Sequence, residues 1–442
     1  MQDIVITKKQ ASYVMVSLLL SAFFLRLIIS VSYQNDYDLL NFYKPWALAM
    51  EQYPFTIYEK AKEGLVNLDY PPLYLLPLFL LGKLYRYIPA LSSYAPYDML
   101  LLKFFPVLFD ALTILCFYRI GRRFSEFAGI AAAALWAVNP SVIFNSSFWG
   151  QTDSILIFLL LVSFALIEFN RPLAGSFVFA LAGLTKYQAL FFLPILLLEL
   201  FFKFGPKKAF KGIGVAAAAV AGVFLPFMLG AGDVLLPLHV YFGGAGKYPF
   251  VSLNAANLFS ALGMNGFPES TPILGGFTFS HLSLFFLFSS LTAVILIYIF
   301  GKRVSLWVTG FFLMQCIFML TARMHERYQL VVLPFALMAY LTTKNKRFFH
   351  LFTALTLLTL LNQALILFGV TSSEMNGLSF PPGYVWTTPW ISPEGISPDG
   401  IMMVLLSVVN SIVFVLSVAE CFHYSFRKDE PLEAVSYSSE IQ

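Results

Sequence analysis

Residues 173–202 read LAGSFVFALAGLTKYQALFFLPILLLELFF, an apolar run with Arg171 before it and the basic cluster Lys203, Lys207, Lys208 and Lys211 after it. A hydrocarbon core of roughly 30 Å takes about 20 apolar helical residues. The run is therefore too long for one upright span, and Lys186 stands near its middle. Two short, tilted spans satisfy both facts: they meet at Lys186 on one side of the bilayer and leave their basic flanks on the other.

Comparable apolar stretches lie near 11–31, 102–119, 127–145, 152–168, 211–230, 280–300, 304–321, 329–343, 349–369 and 400–420. With the divided run they make about twelve transmembrane helices. Composition agrees, since the 442 residues are 59% hydrophobic and only 12% charged, about half the charge of an ordinary soluble domain. The expected class is an all-α polytopic membrane protein, with one transmembrane domain over 1–426 and a short polar cytoplasmic tail over 427–442. The first run follows Lys8 and Lys9 and exceeds the length of a signal-peptide core, so it reads as a retained anchor. A net charge of +4, dispersed along the chain, is no nucleic-acid footprint. Membrane lipids are the expected surroundings instead. The three cysteines, Cys116, Cys316 and Cys421, have neither the number nor the spacing of a disulfide framework or a zinc site.

Short cytoplasmic loops carry the excess of Lys and Arg. Twelve spans with both termini in the cytoplasm put RIGRR at 119–123, Arg171, the 203–211 cluster, Lys302, Arg303, Lys344, Lys346 and Arg347 inside. Treating 71–88 as a further full span would turn RIGRR outward and invert every later loop. That segment, which opens with Pro71 and Pro72 and carries Lys83 and Arg86, reads instead as a helix on the outer face or dipping into it. Two long outer loops remain, about 32–101 and 231–279, and loops of such length tend to carry function.

Polar residues of the kinds that do chemistry gather in the outer segments. The first loop opens SYQNDYDLLNFYKPW, placing Asp36 and Asp38 just past the first span and Phe42 and Trp46 after them, and continues to LDYPPLY with Asp69 and Tyr70. A partly desolvated carboxylate there can take a proton from an acceptor hydroxyl. The next outer turn, NSSFWGQTDS, supplies Trp149, Gln151 and Asp153, a stacking surface with hydrogen-bonding groups. GLTKYQAL carries Lys186 and Gln188, and TARMHERYQL carries Arg323, His325, Glu326, Arg327 and Tyr328 between two apolar helices. Taken singly, an interfacial Trp or a snorkelling Lys is ordinary. Four ionisable groups within five positions at a membrane edge are costly unless they pair or bind an anion. Outer loop 4 adds His239, Tyr241 and Lys247 in HVYFGGAGKYPF, where the glycines suggest a mobile segment. One face thus holds a candidate base together with cations able to stabilise a departing phosphate.

In order, the acidic start of outer loop 1 leading to NFYKPWA, then LDYPPLY, FWGQTD, LTKYQ and MHERY, resemble the GT-C superfamily of polyprenyl-phosphate-sugar glycosyltransferases. The pattern looks most like the bacterial mannosyltransferase-like proteins related to the eukaryotic enzyme that adds the second mannose to glycosylphosphatidylinositol. The resemblance spans residues 36–328 and implies a GT-C-like fold with membrane-adjacent helices in the first outer loop. It also implies an inverting hexosyltransferase that moves mannose or glucose from a polyprenyl phosphate to a glycan, lipid or protein acceptor. Its catalytic acid would fall on Asp38, with Phe42 four residues on, or on Asp36, because Trp46 comes one residue later than the usual spacing. Lys186, His325, Arg327 and Arg323 would hold the donor phosphate. Asp69, Tyr70, Trp149, Gln151, Asp153, Gln188, Glu326 and Tyr328 would contact sugar or acceptor. No cofactor or metal is assigned. The implied location is a bacterial plasma membrane with the site facing outside. A secondary transporter or flippase is the rival class, for which polar sites near the bilayer midplane would be expected.

Overall fold

The structure is a computed structural model that describes residues 7–375, 391–392, 395–396 and 398–427; the tail expected beyond 427 lies outside the described residues. Every apolar stretch expected to cross is helical. Seven of these helices are long and apolar enough to span a membrane, or eight if the bent pair Glu126–Ala137 and Pro140–Trp149 is one span. The molecule is an all-α polytopic membrane protein, and at least this part of the expected twelve-span pattern holds by length and composition. The remaining four helices are short. Asp153–Glu168 has 16 residues, Pro172–Thr185 has 14 and Leu306–Leu320 has 15, and Tyr328–Thr343 falls in the same class. At about 1.5 Å of rise per residue each is shorter than the hydrocarbon is thick.

Length and burial run together. Every residue of Leu306–Leu320 except Leu320 is buried, whereas only Ala209, Gly212, Phe224 and Phe227 are buried in Pro206–Ala231. Its Leu225 and Leu229, like Phe285, Phe288, Val408 and Ile412 on the other long helices, are exposed. Exposed apolar side chains at this density suit a lipid solvent, in which helices keep every backbone hydrogen bond internal. Short helices form the middle of the bundle together with the half-buried Ala95–Gly121 and Lys346–Phe368, and the other long helices form its circumference.

Local signals set the helix ends. Thr7 and Gln10 form a capping box on Lys8–Ser30, and Ser125 and Ser305 accept from the third helical N–H of Glu126–Ala137 and Leu306–Leu320. Gly205, at φ 77°, breaks Leu193–Phe204 from Pro206–Ala231, a conformation glycine adopts without strain.

The basic loops gather at one end of the bundle. Lys344 lies over the ring of Phe124, Arg123 over Phe169, Lys203 reaches Glu168, and Arg347 pairs with Glu420. Helices that start there, such as Pro172–Thr185 and Leu306–Leu320, finish at the other end beside Lys186 and Arg323. That second end is covered by the first long loop, folded as Lys44–Gln52, Ile57–Lys62 and the 16-residue helix Pro72–Tyr87. The last of these packs closely on Lys44–Gln52, where a Cβ on Gly82 would lie 2.1 Å from the Ala47 carbonyl oxygen. The 231–279 loop is also ordered, and the HVYFGGAG glycines expected to be mobile sit in a regular helix, Leu236–Gly246. Tyr241 fixes that helix by donating to the Gly183 carbonyl at 2.9 Å.

Candidate functional site

Between the two covering loops and the ends of the short helices lies a cavity lined by Asp38, Asp69, Tyr70, Trp149, Gln151, Lys186, Gln188, His325, Glu326, Arg327 and Tyr328. Residues scattered over some 290 positions of sequence thus meet in one space, as expected if each outer segment contributes to one cleft.

Two stretches of π-helix carry its acidic side. Asp36–Tyr43 and Phe144–Trp149 are both wound in this rarer, wider form, which recurs at functional sites. Trp149 Nε1 donates to Asp38 Oδ2 at 2.7 Å, joining the two stretches. Asn35 Nδ2 donates to the same oxygen at 3.3 Å, and the Asp38 N–H returns a bond to Asn35 Oδ1 at 3.1 Å. Asp38 is therefore held in orientation by both bonds on one oxygen. The Trp149 ring, expected to stack on a sugar, serves first as a donor to this carboxylate. Asp36 opens the same stretch, and its side chain lies outside the described residues. Gly150 closes the second stretch at φ 90°, and a Cβ there would meet Leu39 and Lys103 at 2.9 Å.

The cationic side comes from helix breaks. Lys186 interrupts the long apolar run between Pro172–Thr185 and Tyr187–Phe192, as its sequence position implied. Its ammonium is 2% exposed and lies 2.6 Å from Asp153 Oδ1. Asp153 does not line the cavity; it stands behind Lys186, and its second oxygen is 3.9 Å from Arg327 Nε. Arg327 Nη1 donates to Glu326 Oε1 at 2.5 Å. Burial works to raise the Glu326 carboxyl, but the Arg327 charge and the neighbouring His325 overcome it and hold the group at about 2. Burial lowers His325, with the Arg327 and Lys186 charges acting in the same direction and Glu326 opposing them. His325 is thus a neutral hydrogen-bonding group at neutral pH rather than the third cation expected from its type.

The loop bearing these groups is pinned in place by strand-like pairing with the 231–279 loop. Leu253 N–H donates to the Met324 carbonyl at 2.9 Å, and Arg323 N–H donates to that of Phe250 at 3.0 Å. Arg323 itself is not brought to the cavity. Its guanidinium is bound by the carboxylate of Glu269, and its left-handed backbone, φ 63°, turns the chain there.

Some lining residues carried no clear signal in the sequence. Tyr43, Tyr187, Tyr248 and Asn254 join the cavity from loops whose tyrosines look like ordinary interfacial aromatics. Lys103 was legible in principle as a lone lysine inside an apolar helix. It is buried and donates to the carbonyls of Tyr33 and Phe148, both at 2.7 Å. Three atoms around the cavity, Gln151 Nε2, Gln188 Oε1 and Arg327 Nε, are buried and make no hydrogen bond within the protein. Such groups are costly unless a ligand or water satisfies them. Among the described residues, no group of three or more His, Cys, Asp or Glu side chains is placed to hold a metal ion.

Fold and site together define a polytopic helical membrane protein with a buried, charge-lined cavity at one end of its bundle. No protein-family model matches the chain, and no curated protein matches it.

Proposed function

We propose that the protein is an inverting glycosyltransferase that moves a hexose from a polyprenyl phosphate to a hydroxyl of a glycan, lipid or protein. The observation that carries this reading is the meeting, in one cavity, of an oriented carboxylate, Asp38, with the cations Arg327 and Lys186. Asp38 takes the proton of the acceptor hydroxyl as its oxygen bonds to the anomeric carbon. The bond from that carbon to the phosphate oxygen breaks, and its electron pair leaves with the polyprenyl phosphate. Charge then develops beside Arg327, whose Nε makes no hydrogen bond within the protein, and fixed donors at such a point are the main source of rate enhancement in many enzymes. Gln151 and Gln188 each offer an unpaired amide atom to sugar hydroxyls. Both cations already have carboxylate partners, so the phosphate competes with Glu326 for Arg327.

The same reading places the cavity end outside a bacterial plasma membrane and the basic end, with both termini, in the cytoplasm, following the charge rule. Single cysteines at Ser32 and Gly244 then react with an impermeant reagent added outside, and one at Asn345 does not; reaction at Asn345 reverses the orientation. The activity is tested by incubating the purified protein with radiolabelled polyprenyl-phosphate mannose or glucose and candidate acceptors. Labelled product supports the transferase. Vesicle uptake of the donor with no glycosylated product supports the transporter.

A further inference from the structure

A second cavity adjoins the first and shares Asp69 and Tyr70 with it. It lies between the helices Ile57–Lys62 and Leu236–Gly246 and has a volume of about 470 Å³. Its outer part is exposed, at Asn67, His239 and Gly243, and its inner part, at Asp69, Tyr70 and Lys247, is half-buried. The space therefore opens to solvent on one side and adjoins the first cavity on the other. The partition between them is one short strip of chain. Lys247 Nζ donates to Asn67 Oδ1 at 2.7 Å and to Asp69 Oδ2 at 3.0 Å. On the other side, the Tyr70 hydroxyl is 3.3 Å from that of Tyr43 and 3.2 Å from Thr152 Oγ1.

We infer that this second cavity receives the acceptor, a neutral carbohydrate chain whose terminal hydroxyl passes the Lys247–Asp69 pair to reach Asp38. The inference rests on the transferase reading above and supplies its acceptor route. Three observations support it. The lining mixes aromatic bodies with dispersed polar groups, the composition that polyhydroxylated guests need. Each lysine lining it pairs with an acid of the protein: Lys62 lies 2.6 Å from Asp233, which also bonds His239 at 2.8 Å, and Lys247 lies 3.0 Å from Asp69. Neither lysine is a buried donor left without a hydrogen bond, as Arg327 Nε is in the first cavity, which favours a neutral guest here and the phosphate there. One wall is also bare of side chains, because a Cβ on Gly243 or Gly64 would meet nothing within 4 Å.

That last feature provides the probe. Gly243→Trp places a bulky ring in the second cavity at a position where the helix has space for it, away from Asp38, Lys186 and Arg327. The full-length protein is assayed with radiolabelled polyprenyl-phosphate hexose in three arms: a free neutral oligosaccharide, the same oligosaccharide on a lipid anchor, and a serine-containing peptide. Gly243→Trp should cut transfer to both oligosaccharide forms by about tenfold or more, since misplacing a reactant by an ångström can cost that much. Donor binding and slow hydrolysis of the donor by water should stay at the parental level. Gly243→Ala, nearly flush with the wall, should transfer almost normally and shows that the helix tolerates substitution. Parental transfer by a folded Gly243→Trp protein overturns the acceptor route while leaving the transferase reading intact. Transfer to the peptide alone overturns the carbohydrate assignment. A parent that releases no sugar from the donor in any arm overturns the transferase reading, and the acceptor route with it.

Discussion

The two ends of the bundle carry similar residue types in opposite settings. At the basic end Arg347 is 65% exposed and Arg122 45%, each with a carboxylate nearby. At the cavity end Lys186 is 2% exposed and Asp153 1%. A solvated pair contributes about 0–1 kcal/mol, and its charges serve to orient the chain across a bilayer. A buried pair carries a desolvation cost that good geometry only partly offsets. Charge count therefore identifies an end of the molecule, and burial identifies what that end does.

Four tests sharpen or break this contrast. The largest effect is expected at Asp38. Asp38→Asn keeps shape and the Trp149 contact but cannot accept a proton, so transfer should fall by about 10²–10⁴-fold with donor affinity nearly unchanged. Transfer at the parental rate by this variant would remove Asp38 from the chemistry.

Next are the two ion pairs compared directly. Lys186→Met leaves Asp153 buried without its nearest cation and should cost about 3–5 kcal/mol of stability, largely recovered when Asp153→Asn is added. Arg122→Met at the basic end, 45% exposed and 3.8 Å from Glu126, should cost no more than about 1 kcal/mol. Equal losses of thermal stability in detergent for the two single variants would erase the distinction between the ends. Arg327→Ala comes third and should weaken donor binding by roughly 1.5–3 kcal/mol, the scale of a charged hydrogen bond. Unchanged binding of the labelled donor by the folded variant would give Arg327 a purely structural role.

The smallest effect is that of pH on His325. Its folded-state pKa lies below the 6.5 of an ordinary imidazole because burial disfavours the charged ring. Between those two values the unfolded chain holds more protons, so stability falls as pH drops below about 6.5 and is undisturbed above it. His325→Gln should flatten that acid-side slope in thermal melts; a slope unchanged by the substitution would locate the titrating group elsewhere.

Much of this was legible from residue order. The break at Lys186, the helical nature of all the apolar runs and the convergence of LDYPPLY, FWGQTD and MHERY on one cavity follow from hydropathy and the separation of basic from mixed loops. Three features were not. Arg323 looks like part of the cationic cluster, but its left-handed backbone and Glu269, 54 positions away, take it elsewhere. Asp153 looks like a loop acid at a helix start, and only tertiary packing sets it behind Lys186. The helix over HVYFGGAG overrode glycine's low helix propensity because Tyr241 and the apolar residues around it pack against the bundle. In each case a long-range contact, invisible to local pattern, determined the outcome.

Lys103 also bears on how the molecule comes into being. Its ammonium is bonded to the carbonyls of Tyr33 and Phe148, so one side chain clips together the segments that follow the first helix and precede Gly150. Lys103 and both partners precede Gly150 in the chain, as do Asp38 and Trp149. During synthesis, when earlier parts of a chain organise before later ones exist, the Asp38 carboxylate and its orienting indole can be set in place on a finished platform. The cations of Lys186 and Arg327 then arrive against a carboxylate already in position, so the order of the sequence is also an order of assembly for the cavity.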